Sequence, residues 1–125
     1  MAARKITLHC DVAVKHIVCA AIRDYAHAAY PEGGSECAQV ARYTLLELAA
    51  DIDAGITDNR ETVEISKRPR AMVKAAIEYY FNRMDEARGR VSTHQRRLFV
   101  ELLEEKTVTS SDLQAAAAKD NAGIT

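Results

Sequence analysis

The chain has no tryptophan, only two prolines and five glycines in 125 residues, and no apolar run near the length of a membrane span. A span takes roughly 20 consecutive apolar residues, so no membrane partner is expected. So little glycine and proline excludes a collagen-like or linker-like chain. The GxxxxGK phosphate loop is missing, as are GxGxxG, GxSxG, HExxH, CxxC and an acidic calcium loop, which removes the usual nucleotide, hydrolase and metal signatures. Four scattered histidines, His9, His16, His27 and His94, have no carboxylate at a spacing that marks a base. The expectation is a protein without enzymatic activity. Arg4 and Lys5 are followed by alternation rather than the apolar core of a signal peptide, so a cytoplasmic location is expected.

Three cysteines, Cys10, Cys19 and Cys37, crowd the first third. An odd number argues against a disulfide framework and for packed, reduced thiols. Together with His16 they make four ligands on paper, but the absence of any CxxC knuckle weighs against zinc. No metal or cofactor is expected. A nucleophile pair of Cys10 or Cys19 with His16 stays open, since such partners meet in space rather than in sequence.

What the chain does contain suits one compact domain: 48% apolar residues, 28% charged residues and a net charge of −1. Ile6, Leu8 and Cys10 alternate with Lys5, Thr7 and His9, the period of a strand buried on one face, over residues 4–10. Asp11 is a natural N-cap for a helix whose stripe runs Val14, Ile17, Val18, Ala21, Ile22, Tyr25 and Ala28 and stops near Pro31. Ser35 caps a second helix, with Cys37, Val40, Ala41, Thr44, Leu45, Leu48 and Ile52 on one face, ending at Gly55.

The same order then recurs. Thr62, Glu64 and Ser66 alternate with Val63 and Ile65, and Pro69 suits a first helical turn. Met72, Val73, Ala76, Ile77, Tyr80, Phe81 and Met84 make the strongest apolar stripe, terminated near Gly89. Ser92 with Gln95 reads as a capping box for a helix carrying Leu98, Phe99, Leu102 and Leu103. An offset of 55 lays residues 20–25 over 75–80, with few identities. Residues 1–106 are thus expected to form one domain, which two strand-helix-helix halves, 4–55 and 61–105, would compose. Residues 107–125 would add a helix or tail of little apolar bulk that frays or docks lightly. The fold class expected is mainly α, with four or five helices and a short two-stranded β-ribbon; an all-helical bundle is the alternative.

Charge is unevenly spread. Between residues 66 and 97 stand nine cations and three acids, a net of +6 in a chain whose total is −1. Lys67, Arg68, Arg70, Arg88, Arg90, Arg96 and Arg97 make a candidate basic patch for phosphates or an acidic protein surface.

Residues 5–11, then a helix, then Gly33-Gly34-Ser35-Glu36-Cys37-Ala38-Gln39-Val40 resemble the ribbon-helix-helix family of DNA-binding repressors and antitoxins. The resemblance covers residues 4–52. It implies two antiparallel strands in the major groove of double-stranded DNA, with Lys5, Thr7 and His9 reading bases and Gly34 and Ser35 holding a phosphate at the second helix's start. In that family the strands pair across a homodimer. A second copy in residues 61–105 would let them pair within one chain, as in the tandem accessory proteins of conjugative plasmids, with Thr62, Glu64 and Ser66 beside the first set. Glu64 departs from the family, where a donor is common. The rival expectation is a small phage- or plasmid-encoded inhibitor or adaptor, anti-CRISPR-like, that blocks a protein partner through its basic patch. Tyr79, Tyr80 and Phe99 would anchor that contact.

Overall fold

In the computed structural model, which describes residues 4–122, the chain runs β1 (Lys5–Cys10), α1 (Val12–Ala29), α2 (Glu36–Gly55), β2 (Thr62–Ser66), α3 (Arg70–Arg88), α4 (Thr93–Leu103), β3 (Thr107–Val108) and α5 (Ser110–Ala122). It is mainly helical with a small sheet. The sheet excludes the all-helical alternative. It has three strands and not two, in the order β2-β1-β3.

β1 and β2 pair antiparallel within the chain, with Lys5 opposite Ser66, Thr7 opposite Glu64 and His9 opposite Thr62. Ile6, Leu8, Cys10 and Ile65 turn to the buried side, as the alternation predicts. They meet a core that includes Val14, Val18 and Ile22 of α1, Leu45 and Ile52 of α2, Val73, Ile77 and Phe81 of α3, and Phe99 and Leu102 of α4. Asp11 caps α1 by accepting from the Val14 N–H at 3.1 Å, and Ser35 caps α2 by accepting from Ala38 at 3.2 Å. Gly89, at φ 64°, ends α3 in the left-handed conformation that a residue without Cβ adopts freely.

The two halves repeat in order at a spacing other than 55. Lys5 and Thr62 open the strands, Val12 and Arg70 the next helices, and Glu36 and Thr93 the last ones, so matching starts lie 57, 58 and 57 positions apart. α2 reaches β2, and α4 reaches β1. Gly55 permits the first approach: a Cβ there would sit 2.3 Å from Cγ2 of Val63, a contact only glycine avoids.

The halves part company after α4. β3 pairs parallel with the end of β1, His9 opposite Thr107 and Cys10 opposite Val108. α5 then packs along α4. Two residues of strand are too short to show alternation, which is why the sequence hides β3. α5 is held by carboxylates rather than by an apolar stripe. Asp120, 5% exposed, accepts from the backbone N–H groups of His94 at 2.8 Å and Gln95 at 3.1 Å, capping α4 from the far end of the chain. Its other oxygen contacts are His94 Nδ1 and Gln95 Nε2. Burial works to raise the Asp120 carboxyl, but these donors outweigh it and hold it below the ordinary value.

The Ser92–Gln95 capping box therefore does not form. Ser92 Oγ instead donates to Oδ2 of Asp85 at 3.0 Å, and no side chain of its own caps α4. Asp11 completes the closure, accepting from the Ser110 N–H at 2.7 Å across almost the whole chain. Lys15, 6% exposed, ties α1 to the end of α2 through the carbonyls of Asp53 and Ile56 and the Asp53 carboxylate.

Candidate functional site

The helices cover one face of the β1–β2 ribbon and leave the other open. On that open face lie Lys5, Thr7 and His9 from β1 and Thr62, Glu64 and Ser66 from β2, paired across the strands. All are polar, and none is buried. The face thus offers hydrogen-bond donors and acceptors on a two-stranded backbone support.

Its two ends differ in charge. The antiparallel register brings the start of the chain beside residues 66–68, where Arg4 O accepts from the Lys67 N–H at 3.0 Å. Arg4, Ser66, Lys67 and Arg68 line a surface depression of about 470 Å³ there. Lys5 and Arg70 flank it along the chain. Among the described residues, none of these five cations has an acidic partner within ion-pair distance. At the opposite end stand Asp58 and Glu61, both exposed. On the β3 side, Glu105 Oε1 accepts from the Thr7 N–H at 2.8 Å. Glu105 does so from φ 66°, a conformation a side-chain-bearing residue adopts at a cost.

Arg4 is the residue the sequence reading missed in this cluster. Strand pairing within the chain, once drawn, places it there.

The candidate basic patch does not form one surface. α3 has 19 residues, so at about 1.5 Å per residue Arg70 and Arg88 are separated by roughly 27 Å. Lys67, Arg68 and Arg70 belong to the ribbon's cationic end, whereas Arg88, Arg90 and Arg97 lie exposed at the other end of the helix pair. Arg90 is hydrogen-bonded to Asn121. Arg96 is committed inside the fold: its guanidinium meets Glu78 at 2.7 Å, Asp85 at 2.7 Å and Asn82 at 2.8 Å, clamping α4 to α3. Burial raises the Asp85 carboxyl, and bonds from Arg96 and Ser92 outweigh that and hold it low.

The aromatic trio is not an anchor patch either. Phe99 is fully buried against Phe81, ring centroids 5.4 Å apart, so it serves the core and cannot reach a partner. Tyr79 packs on Tyr25 at 5.8 Å and carries the Arg83 guanidinium over its ring. Tyr80 meets Phe81 edge to face.

Gly34 and Ser35 stand at the exposed start of α2. The Ser35 hydroxyl is occupied by Ala38 N–H, and a Cβ on Gly34 would meet Ala38 and Pro31 of its own turn. No hydrogen bond or ion pair links them to the ribbon among the described residues.

The cysteines do not converge. Cys10 and Cys19 are buried and Cys37 is exposed, and among the described residues no group of three or more His, Cys, Asp or Glu is placed to hold a metal. Burial pushes the Cys10 thiol up to about 12 and raises that of Cys19, which keeps both protonated and poor as nucleophiles at neutral pH. No described helix is long and apolar enough to cross a membrane.

A second concave feature lies on β2's outer side. A groove of about 690 Å³ runs between α2 and the β2–α3 junction, with Leu48, Ile65 and Met72 in its lining.

Comparison with protein-family models, with curated proteins and with solved structures finds no match to this chain.

Proposed function

We propose that this protein binds double-stranded DNA sequence-specifically by laying the β1–β2 ribbon in the major groove, in the manner of a ribbon-helix-helix protein whose two strands belong to one chain. The observation that carries this reading is the antiparallel ribbon, bare and polar on one face, with five uncommitted cations at one end. A two-stranded ribbon fits a groove about 12 Å wide. β3 pairs only with His9 and Cys10, so the cationic end keeps the two-stranded width.

Roles follow from chemistry. Thr7, His9, Thr62 and Ser66 offer base-edge contacts, and Lys5 suits guanine acceptors. Glu64 is an acceptor for the amino group of cytosine, so its presence narrows the readable sequence rather than only weakening affinity. Arg4, Lys67, Arg68 and Arg70 meet backbone phosphates, which set affinity and register but carry no sequence information. These cations take the phosphate role that the family resemblance assigns to Gly34 and Ser35. The rival, a blocker of a protein partner, has less support, because Phe99 is in the core and Arg96 is bonded inside the fold.

The test is binding to a mixed pool of duplex DNA against salt, followed by selection of a preferred sequence from the same pool. Binding with a steep salt slope and a recovered motif supports the reading. Lys67→Ala with Arg68→Ala should then lower that slope by about 2, one for each phosphate contact, while Thr7→Ala and His9→Ala blur the motif. Absence of binding at low salt overturns it.

A further inference from the structure

β1 lies in the middle of the sheet, closed by β2 on one side and β3 on the other, so β2 is an edge strand. Its hydrogen-bonding parity is fixed at both ends. Lys67 N–H donates to Arg4 O, and Cys10 N–H donates to Glu61 O. Odd-numbered residues of β2 therefore face β1, and the backbone groups of Thr62, Glu64 and Ser66 face outward, where no described strand pairs with them. Such a row is a template for another strand unless the chain blocks it. Here there is no proline within β2 and no strand across it, and the groove between α2 and the edge leaves room. Val40 on that groove is 65% exposed.

The charge of the segment names the occupant. Residues 58–64 carry Asp58, Glu61 and Glu64 against Arg60, and residues 67–70 carry Lys67, Arg68 and Arg70 with no acid. A strand that is acidic at its start and basic at its end matches itself when the two run antiparallel, and repels itself when they run parallel. We infer that β2 pairs antiparallel with β2 of a second copy of this chain, across a two-fold axis, joining two sheets into one. The register follows from the same charges. Placing Glu64 opposite Ser66 of the second copy keeps the two Glu64 side chains from standing directly opposite one another, and brings the acidic start of each strand beside the basic turn, Lys67 and Arg68, that follows the other. Ile65 then lies on the axis, on the groove side. The acids Glu47 and Asp51 line the α2 wall of the same groove and have no ion-pair partner among the described residues.

This inference stands independently of DNA binding, and it bears on it. Strands sit about 4.8 Å apart, so a sheet continued through both chains is wider than the major groove. Self-association and groove binding exclude one another.

The experiment is sedimentation equilibrium on the full chain, without DNA, from micromolar to millimolar concentration. A monomer–dimer equilibrium is expected. Glu64→Pro removes an outward N–H without touching the β1 ladder, and should weaken the dimer by about tenfold or more while circular dichroism stays unchanged. A second pair of variants does not depend on tolerance of proline. Glu61→Lys with Glu64→Lys in one protein, and Lys67→Glu with Arg68→Glu in another, should each be monomeric alone and dimeric when mixed. A wild-type monomer at every concentration overturns the inference. So does a dimer that Glu64→Pro leaves intact, or a mixture that associates no better than its components.

Discussion

The two flanks of the sheet are built from similar parts and finished differently. Beside β1 the chain adds β3 and α5, and carboxylates on that flank are spent on holding backbone: Asp120 on α4, Asp11 on Ser110, Glu105 on Thr7. Beside β2 nothing is added, and the charges of Lys67, Arg68, Glu47 and Asp51 have no ion-pair partner among the described residues. The closed flank uses its polar groups for folding. The open one leaves its charges outside the network that holds the fold. A buried carboxylate with four donors is costly to remove, whereas an exposed unpaired cation is not, so the difference is measurable.

Asp120→Ala should do the most damage. It strips the N–H groups of His94 and Gln95 of their acceptor and frees α5 from α4, at a cost of about 2–3 kcal/mol. Urea denaturation gives the number, and a loss near zero would mean the closed flank is not held this way. Arg96→Ala comes next, with about 1–2 kcal/mol lost, because Asp85 and Glu78 lose their shared partner while water still reaches part of the site.

Acid sharpens the same contrast. The Asp11, Asp85 and Asp120 carboxyls are all held below their ordinary value in the fold, by donors that outweigh burial. A lowered carboxyl stabilises the fold fully above the unfolded value of about 3.9 and loses that contribution as pH falls through the folded value. Stability should therefore lose nothing to these groups between about pH 7 and 5 and fall below about pH 4. Asp120→Asn should make the fall shallower in urea midpoints taken against pH. The smallest effect belongs to the open flank: Lys67→Ala with Arg68→Ala should change stability by no more than about 0.5 kcal/mol. A larger loss would show that these cations serve the fold, and the contrast between flanks would fail.

The elements legible in the sequence are those whose partners are near in sequence or whose pattern is periodic. β1 showed by alternation, α3 by its stripe from Met72 to Met84, and α1 and α2 by Asp11 and Ser35, whose acceptors serve N–H groups three residues on. The failures were non-local. Ser92 and Gln95 have the local capping pattern, yet the cap comes from Asp120, which no window around α4 contains. Arg96 looked like a surface cation because Glu78 and Asp85 lie on another helix. Phe99 was counted as an anchor although it shares a stripe with Leu102 and Leu103, all three buried. The exposed polar side of the ribbon came directly from period two. Its cationic end did not, since Arg4 and Lys67 are adjacent only after β1 and β2 have paired.

The bonds that close the β1 flank also set an order of events during synthesis. β1 needs Thr107 and Val108 for its second neighbour, and Asp11 needs Ser110. A ribosome adds about 5–20 residues per second, so the first strand waits several seconds, with one edge bare, for partners made about 100 residues later. Its other edge meets β2 well before β3 is made. Nascent chains held on the ribosome would thus carry a ribbon open on both sides, and contacts between neighbouring nascent chains would form there before the finished protein can.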